Sequence, residues 1–160
     1  MGSGKSSVGK LLSKRLDLPL IETDEEILNQ SGIKSINEIF MDEGELRFRE
    51  LETDVTKKLK SINDAVIVTG GGLVINKVNI DLLKSQGNNI IVFLKSEFKT
   101  IKKRLKNDHD RPLFSNIQKA KKLFEIRQPL YKNYADTVIK TDNKTINRIT
   151  EEVMKGLENL

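Results

Sequence analysis

The sequence predicts an α/β fold, a three-layer sandwich in which a central parallel sheet carries helices on both faces. Three observations predict it. Helical and strand-like segments alternate along the whole chain, "MGSGKSSVGK" carries the end of a phosphate-binding loop that opens a helix, and "DAVIVTGGG" runs an apolar strand into three glycines. The 160 residues are expected to form one domain, residues 1–160, large enough to bury a core without disulfides or metals.

The elements follow in order. Val8, Leu11, Leu12 and Leu16 recur at helical spacing behind the loop, and "LPLIET" reads as a short buried strand. "DEEILNQSG" is a helix closed by Gly32, and "SINEIFMDEG" restarts with Ser35 and Glu38 as a capping box. Phe48, Leu51, Val55, Leu59 and Ile62 form one apolar stripe on a longer helix from Glu45. After the strand "DAVIVTGGG" come a helix "NIDLLKSQG", a strand "NIIVFL" and a helix "FKTIKKRLK". Polar "NDHDRPLFSN" then interrupts, with the composition of a lid over about 107–118. A helix from Gln118 to Tyr134, bent or ended by Pro129, a strand "DTVIKT" and a terminal helix from Lys144 complete the chain. The loop motif reads G-x-x-x-x-G-K-[ST]; its first glycine and the strand before it would fall ahead of Met1, so the chain as written is expected to lack its central strand.

Composition narrows the function classes. There is no cysteine, which excludes disulfides and thiolate metal sites and fits a cytoplasmic protein. The longest apolar run is too short to span a bilayer, so no membrane partner is expected. The net charge of +5 suits an anionic partner, although lysines on solvated helix backs explain it equally well. Aromatic residues are sparse and not interleaved with basic ones, which disfavours nucleic acid.

Several groups could carry chemistry. Gly2, Ser3, Gly4, Lys5, Ser6 and Ser7 offer backbone N–H groups to phosphate, with Lys5 as a mobile charge and Ser6 as a Mg²⁺ ligand. Glu22 and Asp24 stand two apart at a strand end, where both carboxylates could face one side, one holding metal-bound water and the other accepting a proton; Asp24 could equally cap the helix that follows. Gly70, Gly71 and Gly72 would let a ligand approach the backbone closely, or form a plain flexible turn. Arg49, with Glu52 one turn on to orient it, and Arg127 could form forked carboxylate clamps or be ordinary surface helix residues. Arg111 in "DHDRPLF" is placed to meet transferring phosphate, whereas His109 reads as a solvated lid residue.

Taken together and in this order, "MGSGKSSVGK", "IETD", "SINEIF", "EGELRFRELE", "TGGG", "RPL" and "RQPLY" resemble the shikimate kinases over essentially the whole chain. The resemblance implies a P-loop fold of nucleoside-monophosphate-kinase type with five parallel strands. It implies transfer of the ATP γ-phosphate to the 3-hydroxyl of shikimate with Mg²⁺, in chorismate and aromatic amino acid biosynthesis, by a monomer. Carried over by position, it makes Lys5 and Ser6 the phosphate and Mg²⁺ ligands and Asp24 the shikimate-contacting carboxylate and base. Arg49 and Arg127 become shikimate-carboxylate ligands, Gly70, Gly71 and Gly72 backbone donors, Arg111 the lid cation, and Arg104 an arginine lying against adenine. Glu22 stands where the family usually has aspartate, with a water-mediated hold on Mg²⁺ whose waters can absorb the extra methylene. Alternatives left open by the residues are a P-loop kinase for another small acceptor and a nucleotide-binding regulator without turnover.

Overall fold

The computed structural model describes residues 2–85, 87–104 and 117–158. The chain packs as two compact units, one of residues 1–12 with 90–160 and one of residues 13–89. The helix α1 (Lys5–Leu16) contributes residues to both.

In the unit of residues 13–89, β1 (Leu20–Glu22) pairs in parallel with β2 (Val66–Val68), Leu20 opposite Val66 and Glu22 opposite Val68. A parallel pair needs a long crossover, and here it is helical: α2 (Thr23–Ser31), the short turn α3 (Ile36–Glu38), a π-turn over Ile39–Glu43, and α4 (Gly44–Leu59). Gly32 closes α2 with φ 70°. Ser35 caps α3 by accepting from the Glu38 amide at 3.2 Å, as the capping-box spacing predicts. Four of the five predicted stripe residues pack inward on α4, Phe48, Leu51, Val55 and Leu59, with Ile27 and Ile39 from the preceding turns fully buried, whereas Ile62 lies past the end of the helix and is half-buried. Each such side chain contributes about 1.5–3 kcal/mol of burial, which decides the rotation of α4 about its axis. After β2 the chain makes a 3-10 turn (Leu73–Ile75) and the helix α5 (Lys77–Lys84), whose N-cap Asn76 accepts from the Val78 amide. The strand β1 is half-buried rather than buried as its sequence suggests, and among the described residues it has a ladder partner on one edge only.

In the other unit, β3 (Val92–Lys95) pairs in parallel with β4 (Thr137–Lys140), Val92 opposite Thr137 and Lys95 opposite Lys140. The crossover includes α6 (Phe98–Arg104) and α7 (Ile117–Tyr134), and α8 (Ile146–Leu157) follows β4 with Thr145 as N-cap. Pro129 neither ends α7 nor marks its last turn: the helix continues to Tyr134. Proline lacks the N–H donor and its ring crowds the carbonyl four residues back, but the hydrogen-bonded turns on either side carry the helix past it. The four strands read from the sequence are thus all present among the described residues, parallel, as two pairs. No helix among the described residues is long and apolar enough to cross a membrane.

Candidate active site

The acceptor-type residues of unit 13–89 gather around the three glycines that follow β2. A methyl group added to Gly70 would sit 2.7 Å from Asp24 Oδ1 and 3.3 Å from Glu52 Oε1. One added to Gly72 would collide with Arg49, reaching its Cζ at 2.8 Å and running into Nη1. At both positions a side chain would have to displace a charged group that lies directly on the backbone. The Gly70 amide donates to the buried Thr23 hydroxyl at 2.9 Å, which fixes the glycine turn against the start of α2. The close approach is at Gly70 and Gly72, and it is made by the chain's own side chains.

Arg49 is held from its own helix. Its Nη1 donates to Glu52 Oε2 at 2.9 Å and its Nη2 to Glu45 Oε1 at 3.0 Å, three and four residues away on α4. Its Cζ lies 5.2 Å from the centre of the Phe48 ring. Burial alone would lower the Arg49 pKa, but the Glu52 charge and the hydrogen bonds to Glu52 and Glu45 outweigh it and raise the pKa above the ordinary arginine value. A permanently charged, planar fork with set orientation results, suited to a carboxylate. The Glu52 side chain is 1% exposed and that of Arg49 21%, so Arg49 is no ordinary surface helix residue.

Glu22 and Asp24 do not share one side of an extended chain. The strand ends at Glu22 and α2 begins at Thr23, so Asp24 lies in the first helical turn. A helix turns about 100° per residue, which cancels the strand-type alternation. The capping alternative fails too, since the N-cap is Glu22, whose side chain makes no capping hydrogen bond. What carries Asp24 to the glycines is the first turn of α2, where the helix end also favours its negative charge.

The phosphate-type residues belong to the other unit. Gly2 and Gly4 take φ 64° and 91°, values that let the loop curl before α1 starts at Lys5. The Val8 amide donates to the Gly4 carbonyl at 2.9 Å, so the amides of Lys5, Ser6 and Ser7 belong to the opening turn, where helical N–H groups project toward an anion. Ser3 is buried, Lys5 half-buried, and Ser6 and Ser7 are exposed. Arg104, at the end of α6, donates through Nη2 to the Thr141 carbonyl at 2.9 Å and through Nη1 to the Gly2 carbonyl at 3.3 Å. Arg127 is 7% exposed on α7, and its Nε has no hydrogen-bond partner among the described residues. It too is no surface helix residue. Arg111 and His109, with most of the lid segment, lie outside the described residues.

Sequence reasoning identified Glu52 but passed over Thr23, Ser96 and Thr141. A lone buried hydroxyl at a strand or helix end carries no motif; only the pairing of the strands shows what it meets. Glu45 could have been found from its i,i+4 spacing to Arg49.

A glycine loop that opens a helix, in an α/β fold of parallel strands, marks the class of P-loop nucleotide-binding proteins. The comparisons narrow the class. The family profile described as shikimate kinase matches residues 1–158. The shikimate kinase of Caldicellulosiruptor bescii is 41% identical over 157 residues, 96% of this chain and 89% of that protein. That of Sulfurihydrogenibium sp. is 41% identical over 159 residues, 99% of this chain and 93% of that one. Among solved structures, shikimate kinase from Acinetobacter baumannii in complex with shikimate matches with a TM-score of 0.91 at 32% identity, over 99% of this chain and 89% of that one. The crystal structure of the Aquifex aeolicus shikimate kinase matches with a TM-score of 0.86 at 38% identity, over 99% and 92% of the two chains. The chain belongs to the shikimate kinase family, and it is an ATP-dependent small-molecule kinase.

Proposed function

We propose that this chain transfers the γ-phosphate of ATP to the 3-hydroxyl of shikimate, giving shikimate 3-phosphate and ADP, and that the residues gathered on the glycine turn handle the acceptor. The observation that carries the assignment is the seating of Asp24 and Arg49 on Gly70 and Gly72. A hydroxylated acid needs a cation for its carboxylate and an acceptor for its hydroxyl protons, and these two side chains supply one of each. Arg49 and Arg127 bind the carboxylate; the Nε of buried Arg127, without a hydrogen-bond partner among the described residues, supports an anionic ligand for that side chain. Asp24 orients the reacting hydroxyl and takes its proton. The amides of Gly70, Gly71 and Gly72 donate to the acceptor.

Phosphoryl transfer passes through a loose transition state, so positioning and charge balance supply most of the catalysis. Gly2 to Ser7 cradle the phosphates with backbone amides, Lys5 neutralises the β and γ oxygens, and Arg111 adds a cation on the transferring group. Arg104 serves the nucleotide base. Mg²⁺ fits the donor set as a shared ion, because the Ser6 hydroxyl at the opening of α1 is a hard oxygen donor beside the phosphate amides. Mg²⁺ characteristically takes one or two protein ligands and completes its shell with phosphate oxygens and water. Ser6 would bind it directly and Glu22 through water, and the ion would supply charge neutralisation of the phosphates. We further propose a single catalytic domain working as a cytoplasmic monomer.

The test is ADP release in a coupled assay with ATP and Mg²⁺, with and without shikimate. Shikimate is expected to stimulate release strongly. Stimulation by another small acceptor and not by shikimate would replace the reading, and tight ATP binding without any product would mark a regulator.

A further inference from the structure

The loops after β3 and β4 meet in a polar knot whose Ser96, Thr141 and Asp142 have no part in the reaction as described. In the parallel register Lys95 lies opposite Lys140, so Ser96 and Thr141 are the next residues on each strand, and the Thr141 amide donates to the Lys95 carbonyl at 2.9 Å. Ser96 is 3% exposed and Thr141 fully buried. Their hydroxyls lie 2.5 Å apart. Two buried hydroxyls can satisfy each other and still accept from a third donor, and that donor is Arg104, whose Nη1 lies 3.4 Å from Ser96 Oγ and 3.3 Å from Thr141 Oγ1. Its Nη2 reaches the Thr141 carbonyl, and the same Nη1 faces the Gly2 carbonyl. Asp142 closes the knot by accepting from the Glu97 amide at 3.0 Å, at the start of the helix that carries Arg104.

The guanidinium therefore has two duties. One edge is fixed on Thr141, and from there it reaches the carbonyl that begins the phosphate loop, 102 residues earlier in the chain. Long arginine side chains sample many rotamers unless held, and the buried acceptors of Thr141 hold this one. The place is the carboxyl end of two parallel strands, where open α/β sheets bind their ligands.

We propose that Thr141, seconded by Ser96, is a positioning residue of the nucleotide site: it aims Arg104 at the Gly2 carbonyl and so fixes both the arginine and the entrance of the phosphate loop before ATP arrives. This rests on the nucleotide reading of Arg104 and of residues 2–7. Thr141 does not touch the reacting atoms; it acts through Arg104.

The experiment measures KM for ATP and for shikimate in the full chain and in Thr141→Val, Thr141→Ser, Ser96→Ala, Arg104→Ala and the Arg104→Ala/Thr141→Val double variant. Thr141→Val should raise the ATP KM about three- to tenfold, in keeping with loss of one hydrogen-bond acceptor, and leave the shikimate KM unchanged. Thr141→Ser, which keeps the hydroxyl, should restore the parent value. In the Arg104→Ala background Thr141→Val should add nothing further, because its route of action is gone. Equal shifts in both KM values, or the same added factor in the Arg104→Ala background, would overturn the proposal in favour of a general packing role. Should Thr141→Val fail to fold, Ser96→Ala decides: a selective rise in ATP KM supports the proposal and no rise overturns it. An Arg104→Ala variant with parental ATP KM would instead remove the nucleotide reading of Arg104, a failure distinct from Thr141→Val alone being silent.

Discussion

Arg49 Nη1 donates to Glu52 Oε2 at 2.9 Å, and the carboxylate it meets is almost completely buried, at 1% exposure. An ionised carboxylate is costly to bury without a partner, so the pair specifies where the guanidinium must be as well as holding it there. Replacing Arg49 by alanine is expected to raise the shikimate KM about tenfold to a hundredfold while leaving the ATP KM unchanged, the range of a charge-assisted fork. Arg49→Lys should recover little of this, since a point charge cannot satisfy Glu52 and a ligand carboxylate in one plane. Steady-state kinetics with both substrates check it, and an unchanged shikimate KM would take Arg49 out of acceptor binding.

The glycine turn gives a prediction that separates fold from function. A β-carbon at Gly70 would meet Asp24 Oδ1 at 2.7 Å, and one at Gly72 would meet the Arg49 guanidinium carbon at 2.8 Å. Both obstacles are the ends of flexible side chains, so the fold can yield by moving them. Gly70→Ala and Gly72→Ala are therefore expected to lose no more than about 1 kcal/mol of stability, the lower range for a single substitution. Turnover should fall much further, through Asp24 in the first variant and through shikimate binding in the second. Thermal melts beside kcat and KM decide; melting temperatures that collapse together with activity would show a purely structural turn.

Asp24 can be tested as a proton acceptor. Asp24→Asn keeps the shape and removes the charge, and kcat should fall by at least about a hundredfold, the usual weight of a general base. Glu22→Gln should act differently, by raising the Mg²⁺ concentration needed for half-maximal rate. Identical behaviour of the two variants would contradict the separate roles proposed for them.

Asp142 links stability to pH. Burial would raise its pKa, but a hydrogen bond with Thr100, the Glu97 amide and the charge of Arg104 outweigh burial and lower it below its ordinary value of 3.8. A carboxyl group with a depressed folded-state pKa contributes stability in full above its unfolded value, and that contribution is lost as pH falls through the folded value. The parent chain should thus lose melting temperature from about pH 4 downward more steeply than Asp142→Asn. Parallel pH profiles for the two proteins would show that Asp142 gives no such linkage.

Much of this was legible in the sequence. The helix period of "SSVGKLLSKRL", the Ser35 capping box and the Phe48 to Leu59 stripe are local patterns, and local physics is sufficient to read them. Glu52 was readable as the partner of Arg49 for the same reason, three residues along one helix. The misreadings occur where tertiary contacts override a local rule. The strand ahead of Asp24 has only three residues and gives way to α2 at Thr23, so period-two reasoning applied to the wrong element. Pro129 does not stop the helix, since α7 runs on to Tyr134. The Ser96–Thr141 pair spans 45 residues and exists only because β3 and β4 lie side by side, which no spacing rule expresses.

The central claim is that this chain makes a phosphate monoester at the 3-hydroxyl of shikimate, and the most direct measurement is identification of the product by ³¹P and ¹H NMR. The protein would be incubated with ATP, Mg²⁺ and shikimate, with ADP measured in parallel. The expected result is one new phosphate monoester, coupled to the ring proton at position 3 and formed in equal amount to ADP. Shikimate recovered unmodified while the protein binds ATP, or a phosphate at another hydroxyl, would contradict it.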